Sequence, residues 1–218
     1  MKIKKTFYLA LFFAAAFILW TLTLCHVDVQ AIGPCGTTVG LATLNRYVHD
    51  LTGLHMALYT ATDWLSLIPL AFVPGFAALG LCQWVKRKRL CRVDHSILIL
   101  GGFYLVVLAC YVLFEVLVIN YRPVLIEGRL EASYPSSTTM LVICVMESAL
   151  MQLRPRIKNP ALSRWASLAL LAFSIFMVSA RLVSGVHWFT DIVGGVLLSS
   201  ALLMLYKSAV DFLSLKLP

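Results

Sequence analysis

The sequence predicts an all-α integral membrane protein, a single bundle of six transmembrane helices, and three observations carry that prediction. Of its 218 residues 61% are hydrophobic and only 13% are charged. An ordinary soluble domain carries ~25% charged residues, so this chain lacks the polar groups to cover a surface facing water. Uncharged apolar runs recur at lengths near the ~20 residues that cross a hydrocarbon core. Lysine and arginine then fall largely on alternate connections, as expected of a chain that threads a membrane repeatedly. The length suits one domain, residues 1–218, with no internal repeat.

The first run, 6–25, follows Met1-Lys-Ile-Lys-Lys and is read as a retained helix rather than a cleaved leader. No small-x-small cleavage site follows it, and Leu24 is too bulky just before Cys25 for a lipoprotein box. Residues 27–39 read as loop, broken by Gly33-Pro34 and Cys35-Gly36. From Gly40 to about Thr60, Leu41, Leu44, Val48, Leu51 and Leu54 recur at helical spacing, with Arg46 and Asp50 four apart. That pattern predicts one short amphipathic helix at the outer interface, packing over the bundle or rimming a lipid entry. His49 and His55 on it are read as interface polar groups, not ligands. The remaining spans fall at about 64–85, 96–118, 137–154, 165–182 and 188–209. Glu147 interrupts the fourth span, and Asp191 stands near the start of the sixth.

Topology follows from the cations. With the N-terminus inside, every lysine and arginine except Arg46, Arg122, Arg129 and Arg181 lies on the cytoplasmic side, out of 18 in all. Both termini are therefore expected in the cytoplasm of a plasma (cytoplasmic) membrane. The net charge of +8 reads as this topology signal plus contact with anionic lipids of the bilayer. A nucleic-acid partner is excluded, because the charges are scattered over three loops and a tail. The six cysteines form no CxxC and no Cys/His cluster, so no metal and no cofactor is expected. Most behave as small hydrophobes, with Cys25 and Cys35 left as a possible pair at the outer face.

Three stretches carry chemistry, and the topology brings all three to the outer face. They are Asn120-Tyr-Arg-Pro123, Tyr134-Pro-Ser-Ser-Thr-Thr139, and the run from Ser179 to Asp191. His187 and Asp191 stand four apart, neighbours on one helical face. A carboxylate on one ring nitrogen fixes the tautomer and frees the other as nucleophile. Two guanidiniums, Arg122 and Arg181, suit a phosphate. Ser136, Ser137 and Thr138 at a helix start offer hydroxyls and free N–H groups as an anion cradle. Taken singly, each is commonplace: a histidine near an aspartate, topology-anchoring arginines, a serine cap. Arriving together on one face, they describe phosphoryl transfer through a phosphohistidine.

These stretches resemble the motifs of the type 2 phosphatidic acid phosphatase (PAP2) superfamily of membrane lipid phosphatases: Lys-x6-Arg-Pro, Pro-Ser-Gly-His and Ser-Arg-x5-His-x3-Asp. The third matches most fully, through Arg181, His187 and Asp191, followed by Gly194-Gly195. The resemblance implies a six-helix PAP2-type bundle with His187 as nucleophile, Asp191 as its orienter, and Arg122 and Arg181 as phosphate ligands. It implies a lipid phosphate or diphosphate as substrate. Two positions depart from the family. Glu115 stands where the first motif has Lys, and is read as a buried ion-pair partner of the arginines or a substitute acid that modulates the site. Ser137-Thr138 replaces Gly-His, removing the histidine that in the family protonates the leaving group.

Two function classes follow: an active lipid phosphatase, or a catalytically weak relative that binds or carries lipid phosphates. The missing acid also predicts a substrate preference. An alkoxide leaving group, whose conjugate acid has a pKa of ~16, needs a proton that a positioned donor supplies for ~10²–10⁴-fold in rate. A departing phosphate monoester, with a second pKa of ~6, hardly does. Thr138 in place of the acid therefore favours lipid diphosphates, such as a polyprenyl diphosphate.

Overall fold

The computed structural model describes residues 2–216, so Met1 and residues 217–218 of the expected single domain lie outside the described residues. Eight α-helices follow in order: α1 Lys2–His26, α2 Ala42–Thr52, α3 Met56–Leu65, α4 Leu67–Arg87, α5 His95–Val116, α6 Ser137–Leu153, α7 Pro160–Val183 and α8 Phe189–Lys216. No extended strand forms among the described residues; three isolated β-bridges pinch the loops instead.

Helix boundaries follow from capping. Asn159 accepts from the Ala161 and Leu162 amides, and Pro160 occupies the first helical position of α7. Ser136 caps α6 through the Thr139 amide at 3.4 Å. The start of α8 is capped from another helix: buried Asn45 of α2 accepts from the Thr190 amide at 3.1 Å and donates to its hydroxyl at 3.0 Å.

Five stretches are long and apolar enough to cross a membrane: Ile3–His26, Met56–Arg87, His95–Val116, Pro160–Val183 and Phe189–Leu215. Only 11–28% of the first four is covered by protein, against 56% of the last. The uncovered faces carry Leu19, Val85, Leu105 and Ile175, which only a bilayer can shield at this density. The chain is an integral membrane protein. α8 is the central post, packed against α1, α5, α6 and α7, with Phe17, Leu100, Phe103, Met140, Leu203 and Tyr206 in the core around it. The fourth of the six expected spans is α6, whose 17 residues reach about 26 Å at 1.5 Å per residue. It is the most enclosed of the shorter helices, at the lower end of the lengths that cross a hydrocarbon core.

The expected amphipathic helix from Gly40 to Thr60 is instead broken in two. α2 stops at Thr52 because Gly53 takes φ +71° and ψ −166°, a non-helical backbone region open essentially to glycine. The chain there docks on the loop before α8, where the His55 amide donates to the Ser184 carbonyl at 2.9 Å. Residues 56–65 then run almost continuously into α4, so the second long apolar stretch begins at Met56 rather than Trp64.

The two ends of the bundle differ. Ile3, Lys4 and Phe7 of α1 share a crevice with Leu205, Ser208 and Phe212 of α8, placing both helix termini at one end. At that end Asp94 ties the α4–α5 and α6–α7 connections together, through Arg87 at 3.0 Å and Arg156 at 3.4 Å. At the opposite end the Trp20 indole donates to the Thr190 carbonyl at 3.2 Å, and there the polar residues gather.

Candidate active site

Two connections build the site at that opposite end. The α5–α6 connection folds back on itself about Glu127-Gly128, which adopt φ +50° and +76°. The fold-back pairs Tyr121 with Ala132. The Arg122 amide donates to the Glu131 carbonyl at 3.1 Å, and the Ser133 amide to the Asn120 carbonyl at 2.9 Å. Asn120 and Arg122 on one arm thus face Ser133 and Glu131 on the other. The α7–α8 connection turns tightly at Gly185, φ +70°, where a Cβ would lie 2.0 Å from the Gly53 carbonyl oxygen. Only glycine fits this close approach.

The connections meet at His187, which is 3% exposed, and Asp191, which is fully buried. Their expected direct contact is not made: Nδ1 of His187 and Oδ2 of Asp191 stand 3.7 Å apart, beyond a hydrogen bond. The Ser133 hydroxyl lies between them, 3.0 Å from His187 Nδ1 and bonded to Asp191 Oδ2. A carboxylate only accepts. Ser133 therefore gives its proton to Asp191 and accepts from His187 Nδ1–H, which leaves the lone pair on Nε2. The other contact agrees, since Arg122 donates to Nε2 at 3.3 Å. Asp191 is held further by the Trp188 amide at 2.9 Å and by Asn120 at 3.4 Å. Burial, then the Arg122 and Arg181 guanidiniums, hold the His187 pKa well below its ordinary 6.5. The resting imidazole is neutral, as a nucleophile must be.

The two arginines come together as well. Arg181, 1% exposed at the end of α7, donates to Thr62 at 3.3 Å and faces Asp63 at 3.8 Å. Arg122 sits 3.0 Å from Glu131 through its Nε, out of line for a hydrogen bond, so that N–H stays unsatisfied, as does Nε of Arg181. Two buried guanidinium N–H groups without acceptors mark a place for an anion. Tyr59 lies beneath both, its ring 4.8 Å from the Arg181 Cζ and 5.8 Å from that of Arg122.

The second-motif residues are placed differently from expectation. The Ser136 amide is not free for a ligand; it donates to the Asp191 carbonyl at 3.0 Å. This junction is pressed against α8 by Tyr134, whose ring lies where a Cβ on Gly194 would fall at 2.5 Å. Ser137 and Thr138 open α6 and line an apolar crevice of about 800 Å³ between α4, α5 and α6. Neither side chain bonds to His187 or to an arginine. Their amides, at the first turn of α6, remain without intrahelical acceptors.

Glu115 is corrected too. It is exposed in the last turn of α5, beside Ser137 in a shallow pocket, and forms no ion pair among the described residues. The fold-back of residues 121–132 brings Glu131 to Arg122 in its stead. Ser133, Tyr59, Thr62, Asp63 and Glu131 were absent from the residues singled out by sequence, and Asn120 was named only as the start of its stretch, with no role. The glycine-centred turn at Glu127-Gly128 was the available signal for Glu131.

No protein-family profile matches the chain, and no curated protein matches it. Among solved structures it is similar to the crystal structure of a transmembrane PAP2-type phosphatidylglycerolphosphate phosphatase from Bacillus subtilis, with a TM-score of 0.65 and 16% identity. The match covers 97% of this chain and 98% of that one. The resemblance read from Arg181, His187 and Asp191 is thus met by a PAP2-type fold over nearly the whole length.

Proposed function

We propose that this protein is a PAP2-type lipid phosphatase, hydrolysing the phosphate monoester or diphosphate of a membrane lipid through a phosphohistidine on His187. The observation that carries this is the arrangement around Nε2. Its lone pair is oriented by the Ser133–Asp191 relay, and two guanidiniums with unsatisfied N–H groups stand over it, at one end of a membrane bundle.

In the first step Nε2 attacks phosphorus while Arg122 and Arg181 take up the charge on the non-bridging oxygens. The P–N bond forms, the P–O bond to the lipid breaks, and the positive charge gathering on the ring is shared through Ser133 with Asp191. Water then attacks the phosphohistidine, the P–N electron pair returns to Nε2, and phosphate leaves. The free amides of Ser137 and Thr138 supply further anion contacts, and the crevice they border supports a lipid tail running into the membrane. The Lys and Arg distribution supports termini in the cytoplasm and a site on the outer face of the plasma membrane, with α2 lying along that interface.

Every group in this scheme is water or belongs to the chain itself, so activity is expected to survive EDTA. Phosphate release from lipid monophosphates and diphosphates in detergent tests the reading, with His187→Ala as control. Acid quenching during turnover should trap an acid-labile phosphoenzyme that His187→Ala lacks. Ser137-Thr138 in place of Gly-His favours a second reading, a lipid-phosphate binder of little activity. Tight binding without release from any substrate would assign it.

A further inference from the structure

Loss of the second-motif histidine leaves the leaving group without an obvious proton donor. Among the described residues around His187 there is no second imidazole within hydrogen-bond distance, and each carboxyl is engaged. Asp191 is held by Ser133, Trp188 and Asn120, while Asp63 and Glu131 face Arg181 and Arg122.

Tyr59 stands apart from these. It shares one face of α3 with Thr62 and Asp63, at the three- and four-residue spacing that aligns side chains. That face is turned on Arg181 through all three residues. Its ring lies under both guanidiniums, at 4.8 and 5.8 Å, so an anion clasped by the pair is held beside it. The hydroxyl makes no hydrogen bond among the described residues. A phenol is a far stronger acid than the threonine hydroxyl at position 138, and tyrosine serves as a general acid where it is positioned.

We propose that Tyr59 is the proton donor to the leaving oxygen; the inference rests on the phosphatase reading. As Nε2 closes on phosphorus and the P–O bond to the lipid breaks, the Tyr59 O–H proton passes to the departing oxygen, giving the free lipid alcohol. The phenolate left behind faces two guanidiniums. In the second step it takes a proton from the attacking water, the P–N bond breaks back to Nε2, and hydrogen phosphate, neutral His187 and Tyr59 are restored. With this phenol, monoesters come within reach of a site that otherwise suits diphosphates.

The test uses the full chain in detergent and three substrates of one chain length: an alkyl phosphate, an aryl phosphate and an alkyl diphosphate. Tyr59→Phe keeps the ring over both arginines and removes the proton. It should lower kcat/KM for the alkyl phosphate by about 10²-fold or more, less for the aryl phosphate, and least for the diphosphate. Equal losses on all three would overturn the proposal, since a positioning role does not depend on the leaving group. Tyr59→Leu should add a rise in KM common to all three. A wild-type measurement guards against a variant that does not fold: slowing in D₂O should be larger for the alkyl phosphate than for the diphosphate, and equal slowing also overturns it. Wild type inert toward all three refutes the phosphatase reading itself.

Discussion

The hydroxyl of Ser133 is the joint on which the catalytic pair depends, and Ser133→Ala exposes what it contributes. The substitution removes two hydrogen bonds at once, to His187 Nδ1 at 3.0 Å and to Asp191 Oδ2. It leaves a buried ring N–H facing a carboxylate 3.7 Å away, too far to bond. An unsatisfied buried donor costs ~1–3 kcal/mol. The cost falls mostly on the transition state, where the ring becomes positive and the relay strengthens. At ~1.4 kcal/mol per decade the expected fall in kcat is about 5- to 150-fold, with KM little changed because Ser133 does not hold the phosphate. The rate of phosphoenzyme formation after rapid mixing measures it directly. Asp191→Asn should cost more, because the carboxamide can donate and so reverses the relay. Residues acting as one unit are not additive, so Ser133→Ala combined with Asp191→Asn should be no slower than Asp191→Asn alone. Full activity of Ser133→Ala beside an impaired Asp191→Asn would refute the relay, showing that the carboxylate reaches the ring by itself.

Three further outcomes follow from the same geometry. Because His187 must be neutral to attack and its pKa is held well below 6.5, the acid limb of kcat/KM should lie below pH 6.5. Arg122→Gln removes a neighbouring cation and should move the limb upward. As pH falls from about 6.5 toward the folded value, the unfolded chain takes the His187 proton first, so the melting temperature in detergent should drop through that window, and less steeply in His187→Gln. Gly185→Ala, at φ +70° with its Cβ 2.0 Å from the Gly53 carbonyl oxygen, should lower both the melting temperature and kcat by displacing the His187 loop; wild-type behaviour would show that α2 does not brace it. Single-cysteine variants retaining Cys35 or Cys91, both exposed and free, should differ in intact cells, with an impermeant thiol reagent labelling Cys35 alone. Labelling of Cys91 alone would invert the topology.

What the sequence made legible, and what it hid, divides along a physical line. Helices that face lipid announce themselves one residue at a time, since each position must be apolar, and α1, α4, α5, α7 and α8 were readable as runs. Arg181, His187 and Asp191 were readable because they lie within a few residues of one another around a single turn. Contacts made across the chain left no such trace. Ser133 is 54 residues from His187, and Thr62 is 119 from Arg181. Asn45, a polar residue on an otherwise amphipathic helix, caps α8 from 145 residues away. The exchange of Glu115 for Glu131 shows the same division. Counting back along the chain from Arg122 found the nearer carboxylate, but Glu115 ends a lipid-exposed helix and turns outward. Glu131 reaches the guanidinium because a turn at Glu127-Gly128 reverses the chain. A buried polar group away from water must find its partner within the protein. Thr62 in α3 and Thr190 in α8 are each fully buried, and in a membrane protein such residues are the sequence's indirect record of where the site lies. Read that way, the polar positions of apolar helices point toward the site end even where no motif names them, and Tyr59, three residues before Thr62, falls within their reach.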